Sequence, residues 1–438
     1  MRLTLATVTL ITLLIAAFNV PRLDDASLWY DEAWSVYAVS APPPSTYEPP
    51  RGLRAILRTA AYGARDDALT TLQRVHEDVH PPLYFLTLDG WTWLTGESVF
   101  ALRYLSLLTG LIGMATVAAL GRRLSDTTGG ITAALVFGTS LLWTYYAREA
   151  RMYAPLMMLA AASTLAYLSL IERPNWRWVA LYAVIVALGV YTHYTAALVP
   201  LAHGIHLVFS SRQHNRVGTQ HAVSLRALWI WLAAMIGTVV LYVPWLPSLY
   251  AQFTTNPGGP LATPEPTSWA AVRTLTGYFA GRGLPLYLAL IVIAVVWRWR
   301  SRTRRDVPGL LLAWLLIVPA AVFAANAWLL PVYNPRYTLA ALPALALLAG
   351  DGLAAMWRWG RLWRAVALVA LAVLAFDGLT AYDGGWGAKP PYREVTVAAA
   401  EIRSLTEPAI TRLVPYDPFD YHAQEADLLT ANTVNLAW

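Results

Sequence analysis

A series of eleven apolar segments constrains this chain more than any other feature, because each has the length of a membrane-spanning helix. A transmembrane helix needs about 20 mostly apolar residues. The chain has 438 residues, of which 57% are hydrophobic and 13% are charged, far from the balance of soluble proteins. The sequence therefore predicts an all-α polytopic membrane protein. Its segments lie at residues 3–20, 99–121, 127–146, 154–171, 177–192, 195–210, 226–246, 285–299, 308–330, 337–356 and 365–382.

The arginines predict how these segments cross the membrane. They carry the net charge of +6 and occur in every second loop, at residues 122–123, 173–177, 212–226, 298–305 and 358–364. Positive charge marks cytoplasmic loops, so we expect a cytoplasmic N-terminus and an extracytoplasmic C-terminus in a cell inner or plasma membrane. We attribute the charge to topology rather than to nucleic-acid binding, and the absence of cysteine excludes thiol chemistry.

The first extracytoplasmic loop, residues 21–98, is the longest. Proline-rich residues 42–50 predict an extended linker, and two short amphipathic helices are expected near residues 51–63 and 66–78. Residues 80–96 are short for a span and contain an acidic residue, so we interpret them as an interfacial or re-entrant helix.

The sequence predicts two parts, a transmembrane domain at residues 1–382 and a short extracytoplasmic segment at 383–438. In the second part, residues 392–405 are expected to form a helix and residues 409–414 a strand. This segment is too short for a sizeable core of its own, so it packs on the extracytoplasmic membrane face or the chain is a piece of a longer protein. The N-terminal apolar run lacks a small-residue cleavage site and is interpreted as a helix rather than a signal peptide.

Two adjacent carboxylates, Asp31 and Glu32, follow the first span by about ten residues within the aromatic sequence Trp29-Tyr30-Asp31-Glu32-Ala33-Trp34. Paired carboxylates at a membrane surface indicate acid–base chemistry, and aromatic rings can hold a sugar or a lipid headgroup. The alternative is an ordinary hydrated pair in a loop.

A zinc-protease pattern, H-E-x-x-H, occurs at His76-Glu77-Asp78-Val79-His80. A zinc site of this kind needs both imidazoles on one face of a helix. Pro81 follows the second histidine and disfavours helical geometry there. We therefore keep an intramembrane metalloprotease only as a minor alternative and predict no metal and no cofactor.

A set of short motifs follows the acidic pair along the chain. They are His80-Pro81-Pro82, then Phe100-Ala101-Leu102-Arg103, Ala147-Arg148-Glu149-Ala150-Arg151-Met152-Tyr153 and Asn334-Pro335-Arg336-Tyr337. In this order, over roughly residues 5–350, the chain resembles bacterial members of the protein O-mannosyltransferase and aminoarabinose transferase superfamily, which are GT-C membrane glycosyltransferases often labelled glycosyltransferase family 39.

The resemblance implies a GT-C fold and an inverting transfer of a sugar from a polyprenyl-phosphate donor to a hydroxyl of a lipid, glycan or protein at the outer leaflet. It also implies that Asp31 is the general base and that Glu32 positions the site. A phosphate leaving group needs cations rather than an acid, because negative charge develops on it. The expected partners are the donor, the acceptor and the lipid bilayer.

We predict that the donor and its phosphate contact basic and aromatic residues of the extracytoplasmic loops. These are His80, Arg103, Arg148, Glu149, Arg151, Tyr153, His193, Arg336 and Tyr337. For three of them a structural role is an open alternative: His80 beside two prolines, Arg103 as a residue whose charged head reaches the membrane surface, and His193 as a helix cap. The chain also departs from the family, because no aspartate follows Tyr153, and Glu149 is the nearest acidic residue.

Two other classes of function stay open. A flippase or transporter of lipid-linked sugars should show internal repeats or charges in the middle of helices, and the sequence shows neither. A noncatalytic scaffold would not need an acidic pair beside a set of extracytoplasmic cations.

Overall fold

The computed structural model describes residues 2–39, 68–217, 225–255, 267–329 and 333–381. These residues form seventeen α-helices, joined by short 3₁₀ turns. The predicted helices at 51–63 and 392–405, the predicted strand at 409–414 and the whole segment 383–438 lie outside the described residues.

The first seven helices contain the acidic pair and the motif at residues 100–103. They are α1 (Arg2–Asn19), α2 (Tyr30–Val39), α3 (Ala68–Glu77), α4 (Leu83–Thr95), α5 (Val99–Leu124), α6 (Thr127–Gly138) and α7 (Leu141–Ala147).

The remaining ten helices complete the bundle. They are α8 (Tyr153–Glu172), α9 (Trp176–Thr192), α10 (Leu198–Val217), α11 (Leu225–Tyr242), α12 (Leu246–Thr255), α13 (Trp269–Ala280), α14 (Leu284–Ser301), α15 (Asp306–Trp328), α16 (Leu342–Arg358) and α17 (Arg361–Ala381).

Each of the eleven predicted spans coincides with a helix of the structure. Seven of these helices are long and apolar enough to cross a membrane, and the other four spans coincide with shorter apolar helices at Ala6–Arg22, Thr127–Gly138, Trp176–Thr192 and Tyr194–Phe209. The predicted all-α membrane fold is therefore confirmed, whereas the number of spans stays a prediction.

The predicted span at residues 127–146 is two helices rather than one. Helix α6 ends at Gly138, and α7 begins after Ser140, whose hydroxyl accepts a hydrogen bond from the backbone N–H of Trp143 at 3.3 Å. A serine in this capping position satisfies a backbone donor that has no partner within the helix. The second of these helices leads directly into the turn at residues 147–153.

Helix α16 is the centre of the bundle. All of the best spanning window within Pro335–Arg358 is buried in the protein. It packs against α6 and α14, and Gly350 permits the approach because a Cβ there would lie 2.6 Å from the backbone of Ala133. Thr132 donates a hydrogen bond to the carbonyl oxygen of Gly350 at 2.8 Å. The start of α16 is consequently a rigid place for a functional side chain.

Helix α4 contains 13 residues, about 20 Å of helix, which is short of the roughly 30 Å hydrocarbon core of a bilayer. Tyr84, Phe85 and Leu88 are buried, whereas Trp93 and Leu94 are exposed. This length agrees with the predicted short helix at residues 80–96, and its interfacial position stays a prediction.

Candidate active site

Asp31 and Glu32 lie in the first turn of α2, where the helix dipole favours negative charge. Consecutive side chains of an α-helix diverge by about 100°, so the two carboxylates have different neighbours. Glu32 is fully buried, whereas the side chain of Asp31 is 16% exposed. The two carboxylates therefore have separate surroundings within the site.

Glu32 is bound by Arg103 of α5. The Nε and Nη2 atoms of Arg103 donate to the two carboxylate oxygens of Glu32, each at 2.8 Å. The same guanidinium donates to the carbonyl oxygens of Leu23, Ala26 and Ser27 at 2.7 to 2.8 Å. A guanidinium has five N–H donors, and these five contacts use all of them.

These contacts correct one prediction. Arg103 was expected to bind the donor phosphate, but every N–H of its guanidinium is directed at a protein acceptor, and its side chain is 1% exposed. It fastens α2 and the segment before it to α5. Glu32 also accepts a hydrogen bond from the backbone N–H of Ala150 at 2.9 Å. The pair formed by Glu32 and Arg103, called the Glu32–Arg103 clamp below, therefore connects α2, α5 and the turn at residues 147–153.

Asp31 faces two arginines. Its carboxylate is paired with Nη1 of Arg336, and Nη1 of Arg151 donates to its backbone carbonyl at 3.1 Å. Burial by itself raises the pKa of Asp31, but the positive charges of Arg151 and Arg336 outweigh it and leave the pKa below its ordinary value. Asp31 is consequently a carboxylate at neutral pH.

Arg336 is placed by the turn that precedes α16. The side chain of Asn334 accepts a hydrogen bond from the backbone N–H of Arg336 at 3.2 Å and caps the 3₁₀ helix Pro335–Ala341. The guanidinium lies 5.8 Å from the ring of Tyr153 and 5.9 Å from the ring of Tyr337. Its Nε is buried without a hydrogen-bond partner among the described residues.

Arg151 is 2% exposed. Its Nη1 contacts the hydroxyl of Ser35 at 3.3 Å, and its Nη2 contacts Nε2 of His80 at 3.0 Å. The other ring nitrogen of His80 contacts the carboxylate of Asp78 at 2.7 Å. In the described part of the chain the Nε of Arg151 has no partner. The predicted residues His80, Arg151 and Arg336 thus come together around Asp31.

Tyr153 and His193 form an aromatic wall beside Arg336. Their ring centroids are 5.6 Å apart, and the ring of His193 lies 5.3 Å from that of Tyr337. The Tyr153 hydroxyl is buried and has no hydrogen-bond partner in the residues described. Burial is the main cause that holds the pKa of His193 well below its usual value, and the charges of Arg336 and Arg151 lower it as well, so this imidazole is neutral.

Arg148 and Glu149 lie to one side of this group. Arg148 donates to the side-chain oxygen of Asn19 at 2.7 Å, and its guanidinium lies 5.3 Å from the ring of Phe18. Glu149 accepts a hydrogen bond from the indole of Trp29 at 3.2 Å. These contacts connect the turn at residues 147–153 to α1 and to the segment before α2. Both residues thus have structural contacts, and their predicted contact with the donor stays a prediction.

The H-E-x-x-H pattern does not form a zinc site. Helix α3 ends at Glu77, so His80 lies outside it and cannot share a helical face with His76. His76 contacts Ser248 at 2.8 Å, whereas His80 contacts Asp78 and Arg151. Over the described ranges, no three His, Asp or Glu side chains converge in a way that could hold a metal ion.

Asp78 and Ser35 were not predicted as site residues. In the sequence, Asp78 occupies a position of the zinc-protease pattern at which any residue is allowed. Its spacing from His80 matches no known motif. Ser35 lies one helical turn after Asp31, on the same side of α2, and this periodicity could have identified it.

Part of the chain matches a known protein family. Residues 79–247 match the family of dolichyl-phosphate-mannose-protein mannosyltransferases. This range contains His80, Arg151 and His193 but neither Asp31 nor Arg336. A search of curated proteins with the sequence found no match.

Two solved structures have a similar fold. ArnT from Cupriavidus metallidurans bound to undecaprenyl phosphate has 18% identity and a TM-score of 0.54, covering 91% of this chain and 70% of its own. The archaeal oligosaccharyltransferase AglB from Archaeoglobus fulgidus, in complex with an inhibitory peptide and a dolichol-phosphate, has 12% identity and a TM-score of 0.51, covering 98% of this chain and 60% of its own. Residues 79–247 are thus similar to this family of mannosyltransferases, and the chain shares its overall fold with these two membrane proteins.

Proposed function

We propose that the protein is an inverting glycosyltransferase that moves a sugar from a polyprenyl-phosphate donor to an acceptor hydroxyl at the extracytoplasmic face of the membrane. The observation that carries this proposal is the position of the Asp31 carboxylate beside the guanidinium groups of Arg336 and Arg151. A base next to two cations suits a reaction in which a hydroxyl loses its proton while a phosphate departs. The undecaprenyl phosphate of ArnT and the dolichol-phosphate of AglB support a lipid-linked donor.

The chemistry is a single displacement. The acceptor hydroxyl transfers its proton to the carboxylate of Asp31 while its oxygen forms a bond to the anomeric carbon of the donor sugar. The bond between that carbon and the phosphate oxygen breaks, and its electron pair stays on the polyprenyl phosphate. One displacement inverts the anomeric configuration. The leaving phosphate needs no proton because the arginines stabilise its charge.

Arg336 contacts the Asp31 carboxylate before the donor binds and the donor phosphate afterwards. In the structure it is paired with Asp31, and the Nε atoms of Arg336 and Arg151 are buried without partners among the described residues. A bound phosphate supplies oxygens for these two donors and competes with Asp31 for Arg336. As the phosphate neutralises the guanidinium groups, the pKa of Asp31 rises and the carboxylate becomes a stronger base. Donor binding therefore prepares the base for the acceptor.

The decisive experiment compares the wild-type protein with Asp31→Asn. Purified protein in liposomes is given radiolabelled polyprenyl-phosphate sugars and membrane lipids or glycans, and the transfer of label is measured. Losing the general base should lower the rate by about 10²-fold to 10⁴-fold. The matched control is Asp25→Asn, because Asp25 is exposed in the same segment and should tolerate the change.

Two results would contradict the proposal. Full transfer by a correctly inserted Asp31→Asn protein would exclude Asp31 as the base. Movement of labelled donor from one leaflet to the other, without transfer to any acceptor by the wild-type protein, would instead support a flippase.

A further inference from the structure

Asp78 lies immediately after α3, outside the group of residues that would contact substrate. Its side chain is 10% exposed, and its Oδ2 atom lies 2.7 Å from Nδ1 of His80. The backbone N–H of Val79 and the side chain of Trp34 also donate to this carboxylate. Burial raises the pKa of Asp78, but the contact with His80 and the hydrogen bonds from these donors outweigh burial and lower the pKa to about 2. The group is therefore an ionised acceptor throughout the physiological pH range.

An ionised carboxylate can only accept hydrogen bonds, so the Nδ1 atom of His80 must carry a proton. In a neutral imidazole the Nε2 atom is then an acceptor. This matches its neighbour, because Nη2 of Arg151 lies 3.0 Å away and a guanidinium can only donate. The opposite tautomer would direct an N–H of Arg151 and the Nε2–H of His80 at each other, and Asp78 would lose the donor that His80 provides. Asp78 thus determines the tautomer of His80.

The tautomer in turn orients Arg151. With Nη2 held by His80, the Nη1 atom donates to the backbone carbonyl of Asp31 at 3.1 Å and to the hydroxyl of Ser35 at 3.3 Å. The Nε atom stays buried and has no partner in the described chain. A directional chain of hydrogen bonds therefore leads from Arg151 through His80 to Asp78.

We infer that Asp78 is a positioning residue of the transfer reaction, which acts through the tautomer of His80 to hold Arg151 beside Asp31. The inference rests on the proposed function, because Arg151 matters for catalysis only if a phosphate binds there. It adds a residue that would contact no substrate and that lies outside the motifs of the family. A substitution of Asp78 should thus alter the site without removing any group from it.

The test is a double-mutant cycle with Asp78→Asn and His80→Gln. The Asp78→Asn side chain keeps its shape, but its amide can donate to Nδ1 of His80 and so stabilise the wrong tautomer. Losing a hydrogen bond to a charged group should lower kcat/KM for the donor by about 10-fold to 100-fold. In a His80→Gln background the Gln oxygen can still accept from Arg151, and Asp78→Asn should then change kcat/KM by less than about 2-fold.

A merely structural role predicts a different result. If Asp78 only anchors the end of α3 through Trp34, Asp78→Asn should have the same effect in both backgrounds, and additive losses of kcat/KM would overturn the inference. An unchanged kcat/KM in the single variant would overturn it as well. Asp25→Asn is the matched control for a lost aspartate charge.

A second measurement does not require turnover. The affinity for polyprenyl phosphate should weaken in Asp78→Asn only when His80 is present, and equal weakening in both backgrounds would contradict the inference. The proposed function has its own readout in the wild-type protein. Failure of the wild type to transfer sugar or to bind polyprenyl phosphate would refute that function, whereas additivity with an active wild type would refute only the role of Asp78.

Discussion

Replacing Glu32 with glutamine should destabilise the protein rather than only slow its reaction. Glu32 accepts two hydrogen bonds of 2.8 Å from Arg103 and one of 2.9 Å from the backbone of Ala150. The side chains of Glu32 and Arg103 are 0% and 1% exposed. Removing one charge of such a pair leaves the other uncompensated in the interior, at a cost of about 3–5 kcal/mol. The amide N–H₂ of Glu32→Gln would in addition face the guanidinium donors.

The free energy of unfolding, measured by SDS titration in mixed micelles, checks this magnitude. The matched control is Glu172→Gln, because Glu172 also pairs with arginines, Arg123 and Arg304, but is 40% exposed. Solvent screens an exposed pair, so this control should lose no more than about 1 kcal/mol.

The opposite pattern would refute the reasoning. If Arg103 binds the donor phosphate, Glu32→Gln should raise the KM for the donor and leave the free energy of unfolding close to that of the control. Equal unfolding free energies for Glu32→Gln and Glu172→Gln would therefore show that the buried pair is not the clamp described above.

Two further changes test the site and the core. Arg336→Gln removes one cation that lowers the pKa of Asp31, so the pKa of Asp31 should rise. Because the base acts only when deprotonated, the acid limb of the pH profile of kcat/KM should move to higher pH. An unchanged acid limb would contradict this reasoning. Gly350→Ala should destabilise the protein by about 1–3 kcal/mol, because its Cβ would lie 2.6 Å from the backbone of Ala133. Gly309→Ala, which meets nothing within 4 Å, should be neutral or stabilising in the same unfolding assay, and similar losses in both would count against close packing at Gly350.

The positions of the helices could be predicted because a helix that spans a membrane requires a long, uninterrupted apolar segment in the sequence. A spanning helix must be continuous and apolar, so all eleven predicted segments coincide with helices. The break between α6 and α7 was missed because both sides are apolar. Only the capping pattern at Ser140 distinguishes it, and hydropathy does not record capping.

The site was partly predictable for a different reason. Asp31, His80, Arg151 and Arg336 carry chemistry that motifs preserve, and the structure brings them together. The role of Arg103 could not be predicted, because its partners include backbone carbonyl groups, and any residue type provides these. Asp78 was not predicted, because the role proposed for it depends on a neighbouring histidine and on a distant arginine, which come together only after folding.

The two halves of the site differ in how firmly they are built into the protein. Arg336 begins a segment that is the buried centre of the bundle, whereas Asp31 lies on a ten-residue helix that packs mainly against α3 and α4. A change in α16 alters the whole core, whereas a change in these short helices at positions other than Glu32 alters mainly the surroundings of Asp31. Under the proposed function, evolution could therefore exchange the acceptor by remodelling these short helices, while Arg336 and the core behind it continue to bind the lipid phosphate.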